Sequence, residues 1–231
     1  MEITLSPVLT QTIADFKIGL VSYRGITVSD SPQMLHGRLQ LFQESLYFDL
    51  LETPLAEQKG IQEWRSIFKT FGKDPNRYRP SSEALLRRVQ KQQYLSTIHS
   101  AVDLNNFFSL QYQIPIGLYD ADQFQGDVMI RVGEEDESFH GLNGRENQAA
   151  QLIISADSAG PFGSPFVDSK RTAVTTGTKN ALHIVYLSPS LPEESSHQLI
   201  ESLGSMFQQL HGGDFQTAIL TADSSQHTFK T

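Results

Sequence analysis

Phe71-Gly72-Lys73-Asp74-Pro75-Asn76-Arg77-Tyr78-Arg79-Pro80-Ser81-Ser82-Glu83-Ala84-Leu85-Leu86-Arg87-Arg88 marks where one helix stops and another starts. Before it, Ile61, Trp64, Ile67, Phe68 and Phe71 recur at three- and four-residue spacing, which predicts a helix over about 61–71 that Gly72 ends. Asp74-Pro75-Asn76 reads as a turn. Pro80-Ser81-Ser82-Glu83 predicts a new helix start, with a serine oxygen accepting from unpaired backbone N–H groups. The helix expected over 83–94 buries Leu85, Leu86 and Val89 and exposes Arg87, Arg88 and Lys91.

Towards the N-terminus, Phe16 to Val21 reads as a strand closed by Arg24-Gly25. Ser31-Pro32 starts a helix to about Leu50, with Leu35, Leu39, Phe42 and Leu46 on one face. Towards the C-terminus, Asp103 is expected to cap a helix over 104–113 that Pro115 ends. Residues 127–132 and 151–156 follow as strands, 160–165 as a Gly/Pro loop, and 182–187 as an apolar strand. Ser190-Leu191-Pro192-Glu193 resembles a capping box opening a long helix with Leu199, Leu203, Met206 and Leu210 on one stripe. Gly212-Gly213 stops it, 215–220 is a last strand, and 221–231 is expected to be a frayed tail. Helices and strands mix without a strict βαβ rhythm, so the fold class expected is α+β.

The 231 residues include no cysteine, which excludes a disulfide scaffold, thiolate zinc sites and a thiol nucleophile. No apolar run approaches the roughly 20 residues of a membrane span, and no signal peptide opens the chain. A cytoplasmic protein with no membrane partner is expected. The net charge of −8 argues against general DNA binding. It is unevenly spread: Arg65 to Lys91 holds eight basic residues against Asp74 and Glu83, a local +6, leaving −14 elsewhere. Such a stripe is either a solvated helix face or a contact for a polyanion.

Most chemical motifs fail. Asp120 to Gly126 resembles a calcium loop, but Phe124 occupies a ligand position and Arg131 replaces the bidentate glutamate. Gly177-Thr178-Lys179 lacks the order of a phosphate loop, and no GxSxG, HExxH or GxGxxG is present. The seven histidines are scattered, so no metal or cofactor is expected. Two polar clusters remain: Asp103-Leu104-Asn105-Asn106, whose amides diverge by about 100° on a helix, and Asp168-Ser169-Lys170-Arg171-Thr172 with Thr178-Lys179-Asn180.

In order along the chain, Phe71–Arg88, Val102-Asp103-Leu104-Asn105-Asn106, Arg171-Thr172 and Thr178-Lys179-Asn180-Ala181-Leu182 resemble the free-standing B3/B4-domain proteins. Those proteins are similar to the B3/B4 region of the phenylalanyl-tRNA synthetase beta subunit, and the likeness runs from about residue 15 to 210. It implies mixed sheets flanked by helices in a single B3/B4-like unit over 1–231. A strand–helix lead occupies about 15–60, the core about 61–220 and the tail 221–231.

In the synthetase this region hydrolyses tRNA mischarged with tyrosine. The resemblance therefore implies an aminoacyl-tRNA-related module acting as a trans-editing hydrolase, without synthetase activity. The alternative is a non-catalytic binder of RNA, an amino acid or a small metabolite, and a third reading is a hydrolase unrelated to tRNA. Asn105, Asn106, Gly117, Arg171, Thr178, Lys179 and Asn180 are the implied ligand-binding positions, and Arg79, Arg87 and Arg88 the RNA-binding ones. The synthetase element Pro-x-His-Ala-Phe-Asp appears here as Pro115-Ile116-Gly117-Leu118-Tyr119-Asp120, with glycine in place of histidine. His183 falls near a family glutamate and is the weak candidate for a general base.

Overall fold

A computed structural model describes residues 1–230. The chain forms six α-helices and eleven strands among the described residues, in three sheets. The centre is a four-stranded antiparallel sheet in the order β10-β2-β9-β3, from Asp214–Leu220, Lys17–Arg24, Ala181–Leu187 and Ile116–Asp120. Strand β9 is buried along its whole length, because both of its faces are covered.

Helices α2 (Gln33–Glu52), α4 (Ser81–Gln90), α5 (Ser100–Tyr112) and α6 (Glu193–His211) cover one face. Their core joins Val21, Tyr23, Ala181, Val185 and Leu187 to Leu35, Leu86, Leu104 and Phe207. The other face packs on a five-stranded sheet, β11-β1-β4-β7-β8, from Gln226–Thr228, Glu2–Leu5, Val128–Val132, Ile153–Asp157 and Gly160–Gly163. There Ile18, Leu20, Leu182, Ile184 and Tyr186 meet Ile3, Ile130 and Ile153, with Trp64 and Phe68 of α3 (Lys59–Thr70). Successive residues of β9 thus enter different cores, as the period of two requires. A hairpin of β5 (Ser138–His140) and β6 (Glu146–Gln148) completes the sheets, and helix α1 (Pro7–Thr12) follows β1.

The mixed α+β architecture with sheets flanked by helices agrees with the sequence expectation. Several local expectations are corrected. Helix α5 begins at Ser100, capped by His99, whose Nδ1 accepts from Val102 N–H at 3.4 Å. Asp103 lies in its first turn, accepting from Ile98 N–H at 3.0 Å and from the Ser31 hydroxyl. Serines cap neither α4 nor α6: Ser81 and Ser82 are already inside the first turn of α4, and the residues at the caps are Pro80 and Pro192, with no side-chain bond. Ser190 instead donates to Glu63 Oε2 of α3 at 3.0 Å. The Gly/Pro loop at 160–165 contains strand β8.

The segment 221–231, read as frayed, supplies β11, which pairs with β1 and is followed by buried Phe229. Its last residue, Thr231, lies outside the described residues. Strands β1 and β3 were not foreseen: β1 is four residues long, and β3 carries a glycine inside an apolar run.

Candidate functional site

Strand β3 places Gly117 and Tyr119 on the inter-sheet face, two residues apart and opposite Ile184 and Leu182 of β9. The Tyr119 ring lies across Gly117 and reaches Gly163 of β8. A Cβ at either glycine would stand 2.5 Å from Tyr119 Cζ and nearer still to its Oη. Neither glycine has a positive φ, so space and not backbone conformation excludes a side chain there. The volume a residue-117 side chain would take is filled by the chain's own phenol.

At its far end Tyr119 Oη donates to Asp168 Oδ1 at 2.6 Å. Burial raises the Asp168 carboxyl to about 7, against the lowering effect of that hydroxyl and of Ser164 N–H. Burial and the Asp168 charge also push the Tyr119 hydroxyl well above its ordinary range. Beside it Tyr186 Oη pairs with Ser155 Oγ at 3.1 Å, so a line of polar groups crosses the inter-sheet core.

The loop after Asp168 is held by its own polar groups. Arg171 forms a two-pronged ion pair with Asp157, Nη1 to Oδ2 at 2.9 Å and Nη2 to Oδ1 at 2.8 Å. The Arg171 guanidinium keeps Asp157 below the usual carboxylate range despite burial. Thr178 Oγ1 donates to Asp120 Oδ2 at 2.7 Å, and Asn180 Nδ2 to Asp122 Oδ1 at 2.8 Å. Three of the expected ligand-binding side chains are therefore engaged within the protein, Arg171 with the end of β7, Thr178 with the end of β3 and Asn180 with the turn that follows β3. Lys179 is exposed on the same loop.

The remaining candidates lie across the central sheet. His183 points into the helical core, fully buried, with Nδ1 2.9 Å from Tyr23 Oη and its ring against Phe207. Burial and neighbouring His211 hold it down to about 3, so it is neutral at physiological pH. Its Nε2 is buried without a partner. Asn105 donates from Nδ2 to the Ile116 carbonyl at 3.3 Å, leaving Oδ1 buried and unpaired. Asn106 is half-buried on α5. The sheet thus separates His183 and Asn105 from Gly117, Asp168 and Arg171. Among the described residues no group of three His, Asp or Glu side chains is arranged to hold a metal ion.

The basic stripe folds around one acid. Glu83, in the first turn of α4, has a side chain with no exposure. Arg65 of α3 donates to both its oxygens at 3.0 and 3.1 Å, Arg87 to Oε1 at 2.8 Å, and Arg79 approaches to 3.6 Å. Arg65 also reaches Asn76 Oδ1 at 2.6 Å, tying in the turn. These side chains remain 24, 40 and 38% exposed in the order Arg65, Arg87, Arg79. Arg65, Arg87, Lys69, Gln62 and Glu83 line an open cavity of about 300 Å³ between α3 and α4. Arg88 and Lys91 are exposed nearby.

Sequence reasoning placed Arg79, Arg87 and Arg88 on this face but missed Glu83 as its organiser. The available signal was a lone glutamate at helical spacing from two arginines. Tyr119 was missed as well; its signal was a glycine two residues before a tyrosine in one strand.

A family model described as "B3/4 domain" matches residues 63–203. The chain is 34% identical over 221 residues to the Bacillus subtilis (strain 168) protein YhzB, covering 96% of this chain and all of that one. It is 25% identical over 125 residues to the phenylalanine–tRNA ligase beta subunit of Fusobacterium nucleatum, covering 53% of this chain and 16% of the subunit. An N-terminal fragment of the phenylalanyl-tRNA synthetase beta subunit from Pyrococcus horikoshii superposes with a TM-score of 0.44 at 14% identity, over 92% of this chain and 49% of the fragment. By the family match and its near full-length relative, the chain belongs to the B3/4 domain family.

Proposed function

We propose that this chain is an aminoacyl-tRNA-related module that holds RNA on the basic face of α3 and α4. The observation that carries the reading is the convergence of Arg65, Arg79 and Arg87 on buried Glu83. One carboxylate fixes the Arg65 and Arg87 guanidiniums at the rim of a cavity, with Arg79 approaching it from outside, and neutralises only one of the three charges. With Lys69, Arg88 and Lys91 alongside, the face stays strongly positive on an acidic body. A fixed cationic array of this kind suits phosphate oxygens and gives sequence-independent affinity. The reading places the protein in the cytoplasm, with tRNA or aminoacyl-tRNA as partner and no cofactor or membrane.

The test is tRNA binding across roughly 50–200 mM salt, where each phosphate contact contributes about 0.9 to the log–log slope. Lys69→Ala with Arg88→Ala should lower the slope by about 2 while leaving the Glu83 cluster intact. Affinity independent of salt would overturn the proposal.

A second reading, trans-editing hydrolysis of a mischarged aminoacyl ester, is favoured by Asp168. A carboxyl at about 7 is matched to proton transfer from water at neutral pH, and Lys179 is exposed on the loop that follows it, whereas Asn106 lies on α5 across the sheet. Against it, Arg171, Thr178 and Asn180 are engaged within the protein. Deacylation of a panel of mischarged tRNAs decides the matter. Hydrolysis lost in Asp168→Asn supports turnover, and none across the panel by the folded wild type refutes it.

A further inference from the structure

The cavity between α3 and α4 has two chemically different ends. Gln62, Arg65, Ser66 and Lys69 recur at three- and four-residue spacing, so α3 turns one polar stripe towards Glu83 and Arg87 of α4. Ile61, Trp64, Ile67 and Phe68 are buried on the rest of the helix. From Gln62 to Lys69 the stripe runs about 10 Å along α3, at 1.5 Å per residue. Beside Gln62 the cavity is apolar, lined by Leu55, Ala56 and Ile61. Further along it is cationic, with Arg65, Ser66 and Lys69 on α3 and Arg87 beside the Glu83 carboxylate on α4.

The cationic end keeps donors in reserve. Arg87 gives Nε and Nη2 to Glu83, and Arg65 gives Nη1 to Glu83 and Nη2 to Asn76. Arg87 Nη1, Lys69 Nζ and Ser66 Oγ have no hydrogen-bond partner among the described residues. Glu83, whose side chain has no exposure, holds the two guanidiniums in place before any ligand arrives. Three cations and one carboxylate leave a net of two positive charges around the cavity. A phosphate inside a nucleic-acid strand carries one negative charge, whereas a phosphate monoester carries about 1.5 to 2 at pH 7. Charge and donors together match the monoester.

We propose that this cavity takes one nucleotide bearing a phosphate monoester, at the end of an RNA chain or free in solution. The phosphate sits on Ser66, Lys69 and Arg87, and the nucleoside lies against Leu55, Ala56 and Gln62. For the RNA end, the inference rests on the reading of this face as an RNA contact. A volume of about 300 Å³ is at the lower end of small-molecule sites. Gln62 Nε2 donates one hydrogen to the Ala56 carbonyl at 2.9 Å, leaving its second hydrogen and Oε1 for the edge of a base.

The experiment compares binding of one internally labelled RNA oligonucleotide with a monophosphate at its 5′ end, at its 3′ end or at neither, in about 150 mM salt. One phosphorylated form should bind at least about tenfold more tightly than the unphosphorylated one, the effect of one or two charge-assisted hydrogen bonds. AMP should displace it at concentrations where inorganic phosphate does not. Ala56→Trp fills the apolar end, and Ser66→Asp puts a carboxylate at the cationic end. Each should bring the ratio of the two affinities to about one. Both positions are exposed, and an unchanged urea midpoint shows that each variant is folded. AMP binding that both variants lose, with no affinity for any of the RNAs, supports the cavity as a site for free mononucleotide and refutes the RNA reading alone. Salt-dependent binding with equal affinity for all three RNAs and no displacement by AMP would overturn the proposal and leave the RNA reading standing. Displacement by inorganic phosphate as effective as by AMP would overturn it too, because the apolar end would then contribute nothing.

Discussion

Gly117→Ala adds one carbon where Tyr119 already lies. The new Cβ would stand 2.5 Å from Tyr119 Cζ and 2.7 Å from Cε2, well inside the roughly 3.5–4.0 Å at which carbon atoms pack. Gly163 blocks the ring from the other side in the same way, so the phenol cannot slide and must leave its slot. Overpacking of this kind costs about 1–3 kcal/mol. Losing the Tyr119 hydrogen bond to Asp168 adds about 1–3 kcal/mol, since the carboxyl keeps only the longer contact from Ser164 N–H at 3.4 Å.

Gly117→Ala should therefore destabilise the fold by about 2–6 kcal/mol. Urea unfolding followed by the fluorescence of Trp64, the single tryptophan and fully buried, measures it. The mechanism predicts a rescue. The closest atoms, Oη, Cζ and Cε2, are ones leucine lacks, so in a Tyr119→Leu background alanine at 117 should cost less than about 1 kcal/mol, a coupling of about 1 kcal/mol or more. Equal cost in both backgrounds would refute the account of why glycine stands at 117.

Acid and alkaline limits of stability should separate two buried groups. Asp168 holds its proton to about pH 7 in the fold but only to about 3.9 unfolded. Its contribution is full below that window and lost as pH rises through it. His183, held down to about 3 against about 6.5 unfolded, contributes fully above 6.5 and loses this as pH falls. The slopes oppose between about pH 4 and 6.5. Asp168→Asn should make the urea midpoint climb more steeply with pH there, and His183→Gln should do the reverse. Curves unchanged by either substitution would refute both assignments. Arg171→Ala should lower stability by about 2 kcal/mol, because it strands the unexposed Asp157 carboxylate with only the Gln125 and Ala159 N–H groups. Equilibrium unfolding checks this, and full stability in Arg171→Ala would show that the pair contributes little.

Much of the architecture was legible because it rests on local periodicity. The stripes of α3 and α6, the apolar run of β9 and the glycine stops are properties of neighbouring residues, and their order with the four motifs carried the family. Helix starts were read less well. Ser81 at the start of α4 and Ser190 before α6 have the chemistry of caps, but both are engaged with distant partners: Ser81 N–H bonds the Pro165 carbonyl and Ser190 bonds Glu63. Strand β1 exists because β4 and β11 lie on either side of it, and four residues carry too little pattern to announce that.

The sequence by itself determined the α+β class, the succession of the main helices and strands, the local positive stripe and the family. All of these follow from composition, spacing and short motifs. Tertiary structure alone decided how the polar candidates are used. A sheet two residues out of phase sends Gly117 and His183 to opposite faces, and a phenol from the same strand fills the space beside Gly117. Arginines and an asparagine that looked free to bind a ligand find carboxylates from elsewhere in the chain. Burial and charge pairing depend on which distant residues meet, and that information is not local to any motif.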